Sequence, residues 1–193
     1  MGSIRHGLSG LARFSGRDRP SLFWPYAAFV VVLVMAGISA VMVPEITGSF
    51  TKLEQFAAAH PDKVTVERSA TSVSYVVHGD HPELALDVGQ LLGRMALVLI
   101  GGAALLAAAV SRRLHDSGLR AHWGLLPLPF MAFGVVGMRL LLKEFPQPAE
   151  PDMRLFLALF LNNIAYLAAL VWLACLLARA GGPAHRFGEN RAA

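Results

Sequence analysis

Four stretches of this chain, at about residues 22–43, 88–110, 123–142 and 155–178, are almost free of charge. Each matches the roughly 20 residues that a helix needs to cross bilayer hydrocarbon. Lipid offers no hydrogen bonds to an open backbone, so all four are expected to be helices. Charged residues make up 16% of the chain, against about 25% in a soluble domain, and they gather between the apolar stretches. The expected fold is an all-α membrane protein: one domain over residues 1–193, with four transmembrane helices in an antiparallel bundle. The first stretch is read as a retained span. It is longer than the roughly 7–15 apolar residues of a cleaved signal, and some twenty residues precede it. A cut after Ile38-Ser39-Ala40 is the less fitting alternative. The lone cysteine, Cys175, lies within the fourth span and is expected to pack there.

Charge sets the orientation. If the spans alternate, ten arginines fall on one side: Arg5, Arg13, Arg17 and Arg19, then Arg112, Arg113 and Arg120, then Arg179, Arg186 and Arg191. The other side holds Lys52, Lys63 and Arg68, with Arg139, Lys143 and Arg154 near span ends. The positive-inside rule puts both termini and the 111–122 loop in the cytoplasm. The net charge of +4 then points to anionic phospholipid head groups. No nucleic-acid-binding pattern accompanies it.

Residues 44–87 form an acidic extracytoplasmic loop. Ile46, Phe50, Leu53 and Phe56 recur at helical spacing, which predicts an amphipathic helix ended by His60-Pro61. Lys63–Arg68 and Ser72–Val77 alternate apolar with polar residues and predict a β-hairpin, so the insertion reads as α plus β-hairpin. A hairpin alone is marginal and should pack on that helix or on another chain. Asp80-His81-Pro82-Glu83 has the chemistry of a helix start, and the helix is expected to run to Ser117 and end at Gly118.

The run Arg112-Arg113-Leu114-His115-Asp116-Ser117-Gly118, followed by Trp123, resembles the domain-of-unknown-function 805 family of small bacterial inner-membrane proteins. Gly16-Arg17 with Phe23-Trp24 is similar to the family's N-terminal signature, and His185-Arg186-Phe187-Gly188 to its C-terminal one. The chain departs from the family pattern at Pro20, Leu22, His185 and Leu119–His122, and its long outer loop looks like an insertion. The resemblance implies a four-helix inner-membrane protein and supplies no substrate.

Asp116 lies four residues after Arg112 and three after Arg113, so either arginine can pair with it on one helix face. The other is then free for a lipid phosphate, which suits a guanidinium fork. The plain alternative is that these cations only set topology. His115 and Asp116, with His122 and His185, raise a metal or acid–base reading, but their spacing matches no standard zinc pattern. No catalytic residue, metal or cofactor is assigned. Arg94 is an intramembrane charge, expected to snorkel to the outer surface or, alternatively, to bond Asn162, Asn163 and Tyr166 across helices. Close helix contacts are expected at Gly89, Gly93, Gly101 and Gly102, and kinks at Pro127 and Pro129.

Three functions fit. The first is a non-enzymatic membrane component that engages head groups or a membrane-protein partner through Arg112, Arg113, His115 and Asp116. The second is a small transporter or channel, working as a homo-oligomer, with Arg94, Asn162, Asn163 and Tyr166 along a polar path. The third is an enzyme acting on a lipid through His115 and Asp116.

Overall fold

The computed structural model describes residues 2–69, 71–79, 81–144 and 153–181. A short helix α1 (Gly2–Ser9) precedes the long helix α2 (Pro20–Ala59). Pro20 takes the first helical position, where its missing N–H has no partner to lose. Pro25 lies deeper and leaves the Ser21 carbonyl without its helical donor; Ser3 Oγ donates to that carbonyl at 3.4 Å.

The forty residues of α2 make a rod of about 60 Å, twice the roughly 30 Å of the hydrocarbon core. The expected break between a first span and a separate amphipathic helix is therefore absent. Pro44 removes one ladder bond, yet the apolar positions after it keep helical register and the helix continues. Hydroxyls bridge the following turns: Thr47 donates to the Val43 carbonyl at 2.9 Å and Ser49 to that of Glu45 at 2.8 Å.

The hairpin forms as its alternation predicts. Strands β1 (Val64–Arg68) and β2 (Val73–Val77) are antiparallel, with Val64 opposite Val77 and Arg68 opposite Val73. Its root is pinned to the end of α2. Val64 is buried, and the Phe56 ring lies 4.6 Å from the rings of both His60 and His81. These ring contacts join the end of α2 to the segment that follows the hairpin.

The predicted helix start at Asp80 is corrected. Asp80 lies outside the described residues, and Pro82–Leu84 is a single 3₁₀ turn followed by extended backbone at Ala85. Helix α3 (Val88–Asp116) begins where Asp87 caps it, its carboxylate accepting from the Gln90 N–H at 2.8 Å. A cap directly before an uninterrupted apolar run outcompetes one seven residues further upstream. Trp123 sits in a second 3₁₀ turn (Ala121–Leu125) ahead of α4 (Leu128–Glu144). Pro127 and Pro129 thus flank the start of α4 and do not kink its middle. Helix α5 (Met153–Ala178) follows.

Packing is closest between α2 and α3 and between α4 and α5. Gly102 lets Val34 of α2 press onto α3, and Gly137 receives Leu159. Gly101 faces open space, and Gly93 makes room for the Arg139 side chain and not for a helix. The core gathers where α2 starts and α3 and α5 end, around Phe23, Tyr26, Val30, Leu114 and Leu173. Tyr26 Oη donates to the Leu105 carbonyl at 2.9 Å.

Elsewhere the helices turn apolar side chains outward: Leu97 is 70% exposed and Val171 64%. Soluble monomers rarely show such surface. Four helical segments (Pro20–Ala59, Pro82–Asp116, Ala121–Leu142 and Met153–Ala178) are long and apolar enough to cross a membrane, as expected of a multi-pass membrane protein. Cys175 also points outward, contrary to its expected packing role; the buried stripe of α5 runs through Leu173, Leu176 and Leu177 instead.

Candidate functional site

The last turns of α3 are its most buried part, although they hold its densest charge. Ser111, Arg112, Arg113, Leu114 and Asp116 are all buried. The helix stops there for a local reason. Gly118 adopts φ +76°; Leu119 N–H bonds the Leu114 carbonyl at 2.9 Å and Gly118 N–H that of His115 at 3.0 Å. These are the paired bonds of a Schellman cap, for which glycine is the favoured residue. Leu119 then packs back on the core that contains Leu114.

Segment 10–19 wraps this helix end and supplies its counter-charges. Arg112, 3% exposed, donates through Nε to Asp18 Oδ2 at 2.8 Å and through Nη1 to the carbonyls of Gly10 and Arg13. The other Asp18 oxygen lies 3.0 Å from His6 Nε2. Arg113, fully buried, donates to Asp116 and, across to α5, to the carbonyls of Leu177 and Arg179. Arg17 Nε donates to the other Asp116 oxygen at 3.1 Å. Ser111 Oγ donates to the Phe14 carbonyl at 3.0 Å. Glycines make the space: a methyl on Gly10 would press on the Arg112 guanidinium, and one on Gly181 on the Asp116 carboxylate.

The result is a buried clasp of three arginines and two aspartates that ties the N-terminal segment to the ends of α3 and α5. Burying charge is tolerated only when it is paired and hydrogen-bonded. One donor of the clasp, Arg112 Nη2, is buried without an acceptor among the described residues.

The four residues singled out in the sequence, Arg112, Arg113, His115 and Asp116, do come together here. Their expected division of labour is corrected. Arg113 takes Asp116, as the three-residue spacing allows, but Arg112 is not left for a lipid phosphate, because Asp18 holds it. His115 is half-buried against the Gly16 backbone. Asp18 was not singled out. Its signal was a lone acid between Arg17 and Arg19, in a segment otherwise cationic. Among the described residues, the cations that remain exposed at this end are Arg5, Arg13, Arg19, Arg120 and Arg179, beside exposed Leu8, Leu11 and Phe14. His122 stacks on Trp123, and His185 with the 185–188 signature lies outside the described residues.

The intramembrane polar cluster does not assemble. Arg94 pairs with Glu45 of α2 and bonds Gln90 Oε1 at 2.8 Å. Asn162 donates to the Phe130 carbonyl of α4 at 3.0 Å. Asn163 is exposed and Tyr166 half-buried, and no bond joins either to Arg94. The physical reason is the unbroken α2: running past Pro44, it brings a carboxylate to Arg94. Among the described residues no three His, Cys, Asp or Glu side chains converge at metal-ligand range. Comparison with family models, curated proteins and solved structures finds no match.

Proposed function

We propose that this chain is a non-enzymatic multi-pass protein of the bacterial inner membrane, with its four spans in an antiparallel bundle and both termini in the cytoplasm. Its clasped end rests on anionic lipid head groups. One observation carries this reading: Arg112 and Arg113 are turned inward and bonded, while Arg5, Arg13, Arg19, Arg120 and Arg179 ring them on the surface. Cations beside exposed Leu8, Leu11 and Phe14 make an interfacial anchor, each cation contributing about 1 kcal/mol near an anionic surface.

We also propose membership of the domain-of-unknown-function 805 family, on the residues that carry the resemblance. Gly16-Arg17, Phe23 and the Arg112–Asp116 run all meet at the clasp. A surface acid–base role for Asp116 is disfavoured, because both of its oxygens serve arginines and the residue is 2% exposed.

The test uses Phe14→Cys in a Cys175→Ser background, carrying an environment-sensitive dye, with the protein in nanodiscs. A blue shift is expected in phosphatidylglycerol relative to phosphatidylcholine, and it should vanish when Arg5, Arg13 and Arg19 are replaced by glutamine. Equal emission in both lipids would count against the reading.

A further inference from the structure

At the end of the molecule away from the clasp, the start of α3 and the end of α4 frame a cleft of about 620 Å³. Leu86, Leu92, Val136 and Leu140 give it apolar walls, and Asp87 and Arg139 are its charged groups. Arg139 lies over the backbone of α3: a methyl on Gly93 would come within 3.1 Å of its Nη2. Gly93 is five residues into α3 and Arg139 five residues from the end of α4. The guanidinium is therefore rooted about 7.5 Å inside the helix ends.

Two cations sit at this level, and they are treated differently. Arg94, next to Gly93, has Glu45 and Gln90. Arg139 has no acceptor among the described residues. The carboxylate in the lining, Asp87, is committed to capping α3. A charge on a membrane helix ordinarily pairs or faces a polar cavity. Here the cavity walls are apolar and the volume is that of a small-molecule site. What fits is a molecule with an anionic oxygen at one end and hydrocarbon at the other.

We propose that this cleft binds an anionic amphiphile, its phosphate or carboxylate on Arg139 above Gly93 and its acyl chain along Leu92, Val136 and Leu140. The missing side chain at Gly93 leaves the space in which the guanidinium is seated beside the cleft. Arg139 supplies selection by charge, and the walls supply selection for a chain. The site is separate from the clasp, at the other ends of α3 and α4, so failure of either reading leaves the other standing.

The experiment maps where lipids lie. The full-length protein in nanodiscs is photolysed with phosphatidylglycerol, phosphatidylcholine or a C18 fatty acid, each carrying a diazirine on its acyl chain, and the adducts are located by peptide mass spectrometry. Adducts on peptides covering 86–92 and 136–142 are expected about tenfold above the phosphatidylcholine level for at least one anionic probe, as one charge-assisted bond implies. The phosphatidylglycerol and fatty-acid arms tell a phospholipid from a free carboxylate. Arg139→Gln and Gly93→Leu should each abolish the excess, and Arg139→Lys should retain part of it, with helicity by circular dichroism unchanged. Equal labelling by the phosphatidylcholine probe, or an excess that survives Arg139→Gln, overturns the proposal.

Discussion

Replacing Asp18 with asparagine should loosen the N-terminal segment while leaving the spans intact. Asp18 and Arg112 are each 3% exposed, and Nε to Oδ2 is 2.8 Å. Removing one partner of a buried ion pair costs about 3–5 kcal/mol, because the other charge is left uncompensated. The asparagine oxygen still accepts from the cationic Nε and recovers a hydrogen bond, without the carboxylate's charge, of about 1 kcal/mol. The expected loss is therefore about 2–4 kcal/mol, a rise of about 30- to 1000-fold in the open fraction of the clasp. Trypsin reads this directly, since the bonds after Arg13 and Arg17 lie in the wrapped segment. When opening and closing outpace cleavage, the cutting rate follows the open population. Cleavage at these sites in mild detergent should accelerate by that factor, and adding Arg112→Gln should restore part of the protection by removing the stranded charge. If Asp18→Asn is cut within about threefold of wild type, the pair does not hold the segment and the reasoning is wrong.

Two further perturbations test the packing. Gly102→Ala pushes a methyl into Val34, whereas Gly101→Ala meets open space. The first should lower stability in a chemical-unfolding titration by about 1–3 kcal/mol, and the second should leave it unchanged or raise it by up to about 1 kcal/mol. Tyr26→Phe removes the bond to the Leu105 carbonyl and should cost about 1 kcal/mol in the same titration.

The elements that local pattern determines were legible in the sequence. The four apolar runs, the alternation that makes Val64–Arg68 and Val73–Val77 pair, and the cap at Gly118 all follow from residues close together in the chain. Contacts across long separations were not. Arg113 and Asp116 are three apart, and their bond was foreseeable; Asp18 lies 94 residues from Arg112, and Arg17 lies 99 from Asp116. Nothing in the spacing of the arginine run tells which acid neutralises which base. The Arg94 cluster failed at the end of the first span. The apolar run ends near residue 43, where the span was expected to stop, but the residues after Pro44 kept helical register, so Glu45 stayed on the helix and met Arg94. The helix start expected at Asp80 failed because a second candidate cap, Asp87, stood nearer the apolar run.

In the proposed topology the N-terminal segment, the end of α3 and the end of α5 share one face of the membrane, with the hairpin on the other. Single cysteines at positions 13, 120, 179 and 66, each in a Cys175→Ser background, can be labelled with an impermeant maleimide in inner-membrane vesicles of known sidedness. Cysteines at 13, 120 and 179 should react from the cytoplasmic face and the one at 66 only from the opposite face. If the cysteine at 120 reacts together with that at 66, and not with that at 13, the clasp cannot form as described.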